Sequence, residues 1–114
     1  MHLFFSTPIW SNKIANYKDI NEELHNYILN LREQNPEGIR KSNFSGWHSK
    51  DFDLNDKTSK KFIIAVSSEI NNAFNDMEWD IEKQIIKIKS IWAIINEKGA
   101  SNERHHHGNS TLSA

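Results

Sequence analysis

The sequence predicts an α+β fold in which two amphipathic helices pack against a partial sheet. Apolar residues recur at helical spacing in two separate segments, and a third, later segment alternates in the manner of a strand. Turn-forming residues separate the three segments. Each helix has a single apolar stripe and therefore needs a partner surface, which the later segment would supply.

The N-terminal segment, residues 3–14, is aromatic and β-branched. Pro8 lies within it and lacks the N–H group that a central strand must donate. We therefore expect an edge strand or an extended arm at the start of the chain.

A first helix is predicted from about Tyr17 to Gln34. Acidic residues fill its first turns, where the helix dipole favours negative charge, and the sequence "NPEG" at 35–38 ends it. The apolar stripe consists of Ile20, Leu24, Tyr27, Ile28 and Leu31.

A long loop and a second helix follow. Residues 39–56 show no periodicity and are rich in turn formers, and a loop of this length is usually functional or disordered. Helical spacing then returns, which predicts a second helix from about Asp56 to Asn75. Its apolar face consists of Phe62, Ala65, Val66, Ile70, Ala73 and Phe74.

The segment over residues 85–95 is predicted to be one long strand. Ile86, Ile88 and Trp92 would lie on one side, whereas Ile85, Ile91 and Ala93 would lie on the other. The turn "NEKGASN" follows, and the histidines of "NERHHHGNSTLSA" would begin the next strand.

Composition excludes several classes of protein. The 114 residues suffice for one domain, and the mean hydropathy of −0.71 implies a core built from a few patterned segments. The net charge of −1 gives no basis for binding nucleic acid or anionic lipid, and the absence of cysteine excludes disulfides and thiolate metal sites. Neither a signal peptide nor a membrane span is recognisable, so we expect a cytoplasmic protein.

The histidine run has two interpretations. On an extended strand His105 and His107 share a face, and two such imidazoles can take adjacent positions on one metal ion. Such a pair is only half of a site and must recruit further ligands. The alternative is a solvated turn whose histidines bind metal only adventitiously.

Several motifs together resemble a known family. The stretches "FFSTPIWSNKI", "RKSNFSGWHS" and "SIWAIINEKGASNERHHHGNSTLS", with the two intervening helices, resemble the N-terminal half of a family of uncharacterised proteins found in marine bacteria and their phages. That family is placed among the iron(II)/2-oxoglutarate-dependent oxygenases. Members of that family look alike in three motifs, in chain order. These are Ser-Asn-x-Gly-Gly-Trp-x-Ser, Trp-Ala-x-Ile-Asn-x-x-Gly and His-x-His-Pro-Asn-Ser-x-Leu-Ser-Gly.

The resemblance implies a double-stranded β-helix, or jelly-roll, that holds one Fe(II) and uses 2-oxoglutarate as cosubstrate. His105 would be the first metal ligand. His107 stands where relatives outside this family keep a carboxylate, and an imidazole there removes a negative charge from the metal. The parent enzyme would couple decarboxylation of 2-oxoglutarate to hydroxylation of a C–H bond.

The resemblance also suggests further site residues. Trp92 and Asn96 are candidates for the cosubstrate pocket, although we favour core packing as the role of Trp92. Trp47 and His48 are candidates for the substrate rim, but we favour a structural role for Trp47 as a plug between helix and sheet. Ser45 departs from the family pattern, which has glycine at that position.

The resemblance covers only half of a jelly-roll domain. It places the distal histidine ligand and the arginine that binds 2-oxoglutarate outside residues 1–114, which we read as a single partial domain, truncated just after the His-x-His motif. His25 or His48 could complete a three-histidine site, but their spacing gives no support for it. We expect no turnover by the isolated chain, and marginal stability because the Ile-rich strand leaves an open edge.

Two other interpretations stay open. Gly99 and the His-x-His motif fit the opening of the cupin metal motif, although Thr111 and Leu112 occupy the positions where a cupin has its glutamate. Alternatively, the chain is a non-catalytic helix–sheet interaction module that associates through exposed strand edges, with itself or with a partner. Metal affinity distinguishes these classes, because an interaction module needs none.

Overall fold

A computed structural model describes residues 7–113 and shows an α+β arrangement of two helices and two small antiparallel sheets. Each sheet has two strands, and within the described residues the sheets do not close into a barrel. The elements in chain order are α1 (Tyr17–Gln34), β1 (Asn43–Phe44), β2 (Trp47–His48), α2 (Lys57–Asp76), β3 (Ile94–Ile95) and β4 (Ser101–Asn102).

The two predicted helices are confirmed. The bounds of α1 are those predicted, and α2 is displaced by one residue because Asp56 is its N-cap. The Asp56 carboxylate accepts hydrogen bonds from the backbone N–H groups of Thr58 at 2.8 Å and Ser59 at 3.4 Å. This cap satisfies two of the four N–H groups that a helix start leaves without partners.

The core lies between α1 and the segments around β2 and β3. Trp47, Phe52 and Ala93 are buried together, and the Phe52 ring meets Tyr27 edge to face with centroids 5.1 Å apart. The apolar stripe of α1 covers this cluster, as its spacing predicted. The half-buried residues packed against it are Leu24, Tyr27, Ile28, Leu31, Ile91 and Ile95.

The strands pair across long sequence separations. β1 pairs with β4, and β2 pairs with β3 so that Trp47 lies opposite Ile95 and His48 opposite Ile94. The predicted loop over residues 39–56 therefore contains two strands. Each of them is only two residues long, which is too short to produce a periodic pattern in the sequence.

The prediction of one long strand over residues 85–95 is wrong for most of its length, because regular strand is confined to β3. Pairing continues irregularly from β3: Ser49 N–H donates to the Ala93 carbonyl at 2.9 Å, and Phe52 N–H donates to the Ile91 carbonyl at 2.7 Å. Residues 85–90 have no such neighbour within the described part of the chain. Alternating apolar residues form a strand only where another strand can satisfy their backbone groups.

The prediction that the histidines begin a strand is also wrong. β4 ends at Asn102, because its partner β1 is only two residues long, and residues 103–107 are irregular and exposed. A last backbone hydrogen bond, from Glu103 N–H to the Ser42 carbonyl at 2.6 Å, ties this segment to the start of β1.

The N-terminal segment has no regular secondary structure over the residues described. Residues 3–6 lie outside the described part, and residues 7–14 form neither helix nor strand. The Trp10 indole N–H donates to the Asp76 carboxylate at 2.9 Å, which fixes the arm against the end of α2. Within residues 7–113, neither helix combines the length and the apolar character needed to cross a membrane.

Candidate functional site

Four aromatic side chains follow one another from the core to the surface. His48 stacks on Trp92 with ring centroids 6.1 Å apart and an angle of 11° between the planes. Trp92 stacks on His107 at 5.7 Å and 27°, and His107 meets His105 edge to face at 4.9 Å and 75°. We call these four residues the imidazole–indole series.

The pairing of β2 with β3 positions the buried end of this series. Successive side chains of a strand point to opposite faces, so Trp47 enters the core while His48 points away from it. The segment leading into β3 alternates in the same way, with Ala93 buried and Trp92 outside the core cluster. His48 and Trp92 therefore meet on the side of the ladder that faces away from α1.

His48 is held by the backbone. Its side chain is buried, and its ring Nδ1 lies 2.6 Å from the Ser49 carbonyl oxygen. A carbonyl can only accept a hydrogen bond, so Nδ1 carries a proton, and in the neutral ring Nε2 has the lone pair.

His105 has the same tautomer for the same reason. Its Nδ1 lies 2.8 Å from the Glu103 carbonyl oxygen, so Nδ1 donates and Nε2 can bind a metal ion. The rings of His105 and His107 lie close together even though the segment is not a strand. His106 lies beside Gly108, where a Cβ built on that glycine would be 3.2 Å from the His106 Nδ1.

The donor set of this pair suits a divalent transition metal only in part. Two imidazole ligands are common in the protein sites that hold such metals. Across residues 7–113, however, no three His, Asp or Glu side chains lie close enough together to hold a metal ion. Neither His25, exposed on α1, nor His48 therefore joins the pair.

The candidate rim residues Trp47 and His48 are both buried, with 6% and 5% of their surfaces exposed. The Trp47 indole N–H donates to the Asn35 carbonyl at 2.9 Å, where α1 ends. This placement favours the structural role, in which Trp47 fills the junction between helix and sheet.

The two candidate cosubstrate residues lie in different surroundings. Trp92 adjoins the histidine pair, with 36% of its surface exposed. The Asn96 side chain instead lies against Gly46, where any Cβ would overlap its amide oxygen. A side chain at position 46 would therefore displace the Asn96 amide, which occupies the space beside Gly46.

Two clefts in the described part of the chain lie away from the histidine pair. One of about 300 Å³ adjoins β1, and another of about 480 Å³ adjoins the start of α2. The first is lined by Glu37, Ile39, Arg40, Asn43, Phe44 and Ser45, and the second by Asn55, Lys57, Lys60, Lys61 and Ile64. Neither lining includes a histidine.

Comparison of the chain with protein-family models, with curated proteins and with solved structures finds no match. The residues of the site therefore have to be interpreted from their own chemistry. The contact that the sequence did not predict is the stacking of Trp92 between a buried and an exposed histidine.

Proposed function

We propose that this chain contributes two histidine ligands, His105 and His107, to the metal site of an Fe(II)/2-oxoglutarate-dependent oxygenase. The supporting observation is that the two imidazole rings meet while the Nε2 atom of His105 is left free for a metal ion. The sequence motifs that resemble this oxygenase family provide the reaction class.

We extend the proposal to the fold of the parent domain, a jelly-roll. The strand pairs β1–β4 and β2–β3 are antiparallel, as a jelly-roll requires, and α1 packs against the segments around β2 and β3. A third ligand and an arginine for the 2-oxoglutarate carboxylate are then needed from outside residues 7–113. For this reason we expect no turnover from the 114 residues alone.

In such an enzyme the residues of this chain would bind the metal ion and orient its ligands. The His105 Nδ1–H bond to the Glu103 carbonyl keeps this imidazole in the tautomer that can bind metal. His107 contributes a neutral ligand where related oxygenases have a carboxylate, which leaves the bound metal one charge more positive. When bound, the iron supplies the oxidation chemistry that couples 2-oxoglutarate decarboxylation to C–H hydroxylation.

The test is an anaerobic Co(II) titration of the 114-residue chain, with and without 2-oxoglutarate, followed by visible absorption and calorimetry. We expect one equivalent to bind, and the affinity to rise when 2-oxoglutarate is present. The H105A/H107A double variant should lose this binding. The matched control is H106A, which removes the neighbouring imidazole and should bind as the wild type does.

Two results would contradict the proposed function. One is Co(II) binding that survives the double substitution, and the other is binding by the pair that 2-oxoglutarate does not affect. In the first case the histidine run is a solvated turn, and a non-catalytic interaction module becomes the better interpretation. In the second case the pair binds metal for a different chemistry.

A further inference from the structure

Building on the function proposed above, we propose that Trp92 is a positioning residue that holds the ligand His107 in its metal-binding orientation. Trp92 acts through His107 and does not itself contact the metal. The geometry that points to this role is the stacking of one indole on both the buried His48 and the exposed His107.

The chain holds Trp92 through its neighbour Ala93. The Ala93 carbonyl accepts a hydrogen bond from Ser49 N–H at 2.9 Å, and Ala93 N–H donates to the Ser49 hydroxyl at 2.9 Å. Ser49 is buried, with 2% of its surface exposed. These two bonds fix the backbone beside Trp92 to the backbone beside His48, in a part of the molecule closed to water.

His48 supports the indole from its buried side. Its side chain is buried and its ring is oriented by the Ser49 carbonyl, so the ring that Trp92 stacks on has little freedom to move. Trp92 therefore presents an indole of fixed orientation to the surface.

His107, by contrast, lies in a segment with few supports of its own. Residues 103–107 are exposed and irregular. The backbone bond from Ser110 N–H to the His107 carbonyl, 3.0 Å, is local to the same segment. Stacking on Trp92 is thus the contact that connects the His107 ring to the core.

This arrangement assigns Trp92 a different role from cosubstrate binding. An indole stacked on two imidazoles has part of its surface already covered, and 36% remains exposed. Hydrogen-bonded groups that orient a metal ligand without touching the metal typically change metal affinity by about 10- to 100-fold when removed, and we take this range as the scale for a stacked ring. Trp92 belongs to that class through His107.

The test compares anaerobic Co(II) binding by the wild-type chain with binding by W92A and W92F. We expect W92A to weaken Co(II) binding at least about tenfold and to change the visible Co(II) spectrum, because the coordination geometry is no longer fixed. W92F keeps a ring for stacking and should retain most of the affinity and the spectrum. The matched control is W79A, which removes a tryptophan that packs on Phe74, away from the histidine pair.

A measurement on the wild-type chain removes any dependence on whether W92A folds. The ring protons of His107 should show NMR cross-peaks to the Trp92 indole and upfield shifts from its ring current. Their absence would overturn the proposed stacking. So would wild-type affinity and spectrum in W92A, or a loss in W92F as large as in W92A.

These outcomes are distinct from failure of the proposed function. Co(II) binding that survives H105A/H107A rejects the histidine pair as a metal site. Normal binding by the pair in W92A rejects only the positioning role of Trp92.

Discussion

Ser45 has a φ of 57°, in the left-handed region that side chains other than glycine rarely adopt. This backbone conformation favours glycine, because a Cβ in this region crowds the following carbonyl oxygen.

We therefore expect S45G to stabilise the chain. A left-handed residue with a Cβ costs roughly 1–2 kcal/mol, and glycine loses about 0.5–1 kcal/mol of that gain through the entropy of the unfolded chain. The net increase in the free energy of unfolding should be about 0.5–1 kcal/mol, measured by urea unfolding. S42G is the matched control, because Ser42 does not have a positive φ and should lose stability instead. Equal effects of the two substitutions would contradict the explanation.

At the scale of elements, Ser49 connects β2 to the segment that leads into β3. Its hydroxyl is the acceptor for Ala93 N–H at 2.9 Å, and both residues are buried. Without this acceptor the backbone N–H group of Ala93 would be buried without a partner.

We expect S49A to lower the free energy of unfolding by about 1–3 kcal/mol, the usual cost of a buried unpaired donor. The measurement is the urea midpoint followed by circular dichroism. S67A is the control: the Ser67 hydroxyl bonds the Ile63 carbonyl one turn back in α2, at 2.6 Å. That carbonyl keeps its helical environment, so S67A should be neutral or slightly stabilising. A loss in S67A equal to that in S49A would show that the hydrogen bond to Ala93 is not the cause.

The helices could be predicted from the sequence, and most of the strand could not. The stripe of α1 and the Asp56 cap of α2 are local features, so spacing and residue type suffice to locate both helices. The isoleucines of residues 85–90 show equally clear alternation, but a strand depends on a partner at long sequence distance. No pattern within the segment reports whether that partner exists.

The site divides in the same way. The rings of His105 and His107 lie 4.9 Å apart, but they do so in an irregular segment and not on the strand face that their spacing predicted. The contact of Trp92 with His48 depends on the register of β2 and β3, two strands nearly fifty residues apart. Because the register of β2 and β3 cannot be read from the sequence, the sequence gives no reason to expect contact between Trp92 and His48.

The molecule as a whole exposes more surface than a compact domain of its mass. Its accessible surface is 9620 Å², compared with about 6,500 Å² for a typical folded protein of this mass. The radius of gyration is 16.2 Å, compared with about 13 Å for a compact domain of this length. Ile9, Ile64 and Ile85 are at least three-quarters exposed, so apolar residues contribute to the excess.

We therefore expect the isolated 114-residue chain to be marginally stable. Its free energy of unfolding should lie below about 5 kcal/mol, the lower end of the usual range. The measurement is urea unfolding followed in parallel by circular dichroism and by tryptophan fluorescence. A value near or above about 10 kcal/mol would show that the few buried residues form a sufficient core on their own.

The stacking of Trp92 on His107 also has an optical consequence. An excited indole loses its emission to a paramagnetic ion a short distance away, and the ring of the proposed ligand His107 is its direct neighbour. The other three tryptophans contact different groups: Trp10 bonds Asp76, Trp47 bonds the end of α1, and Trp79 packs on Phe74. The fraction of fluorescence that belongs to Trp92 would therefore report metal occupancy from within the protein, without an added dye.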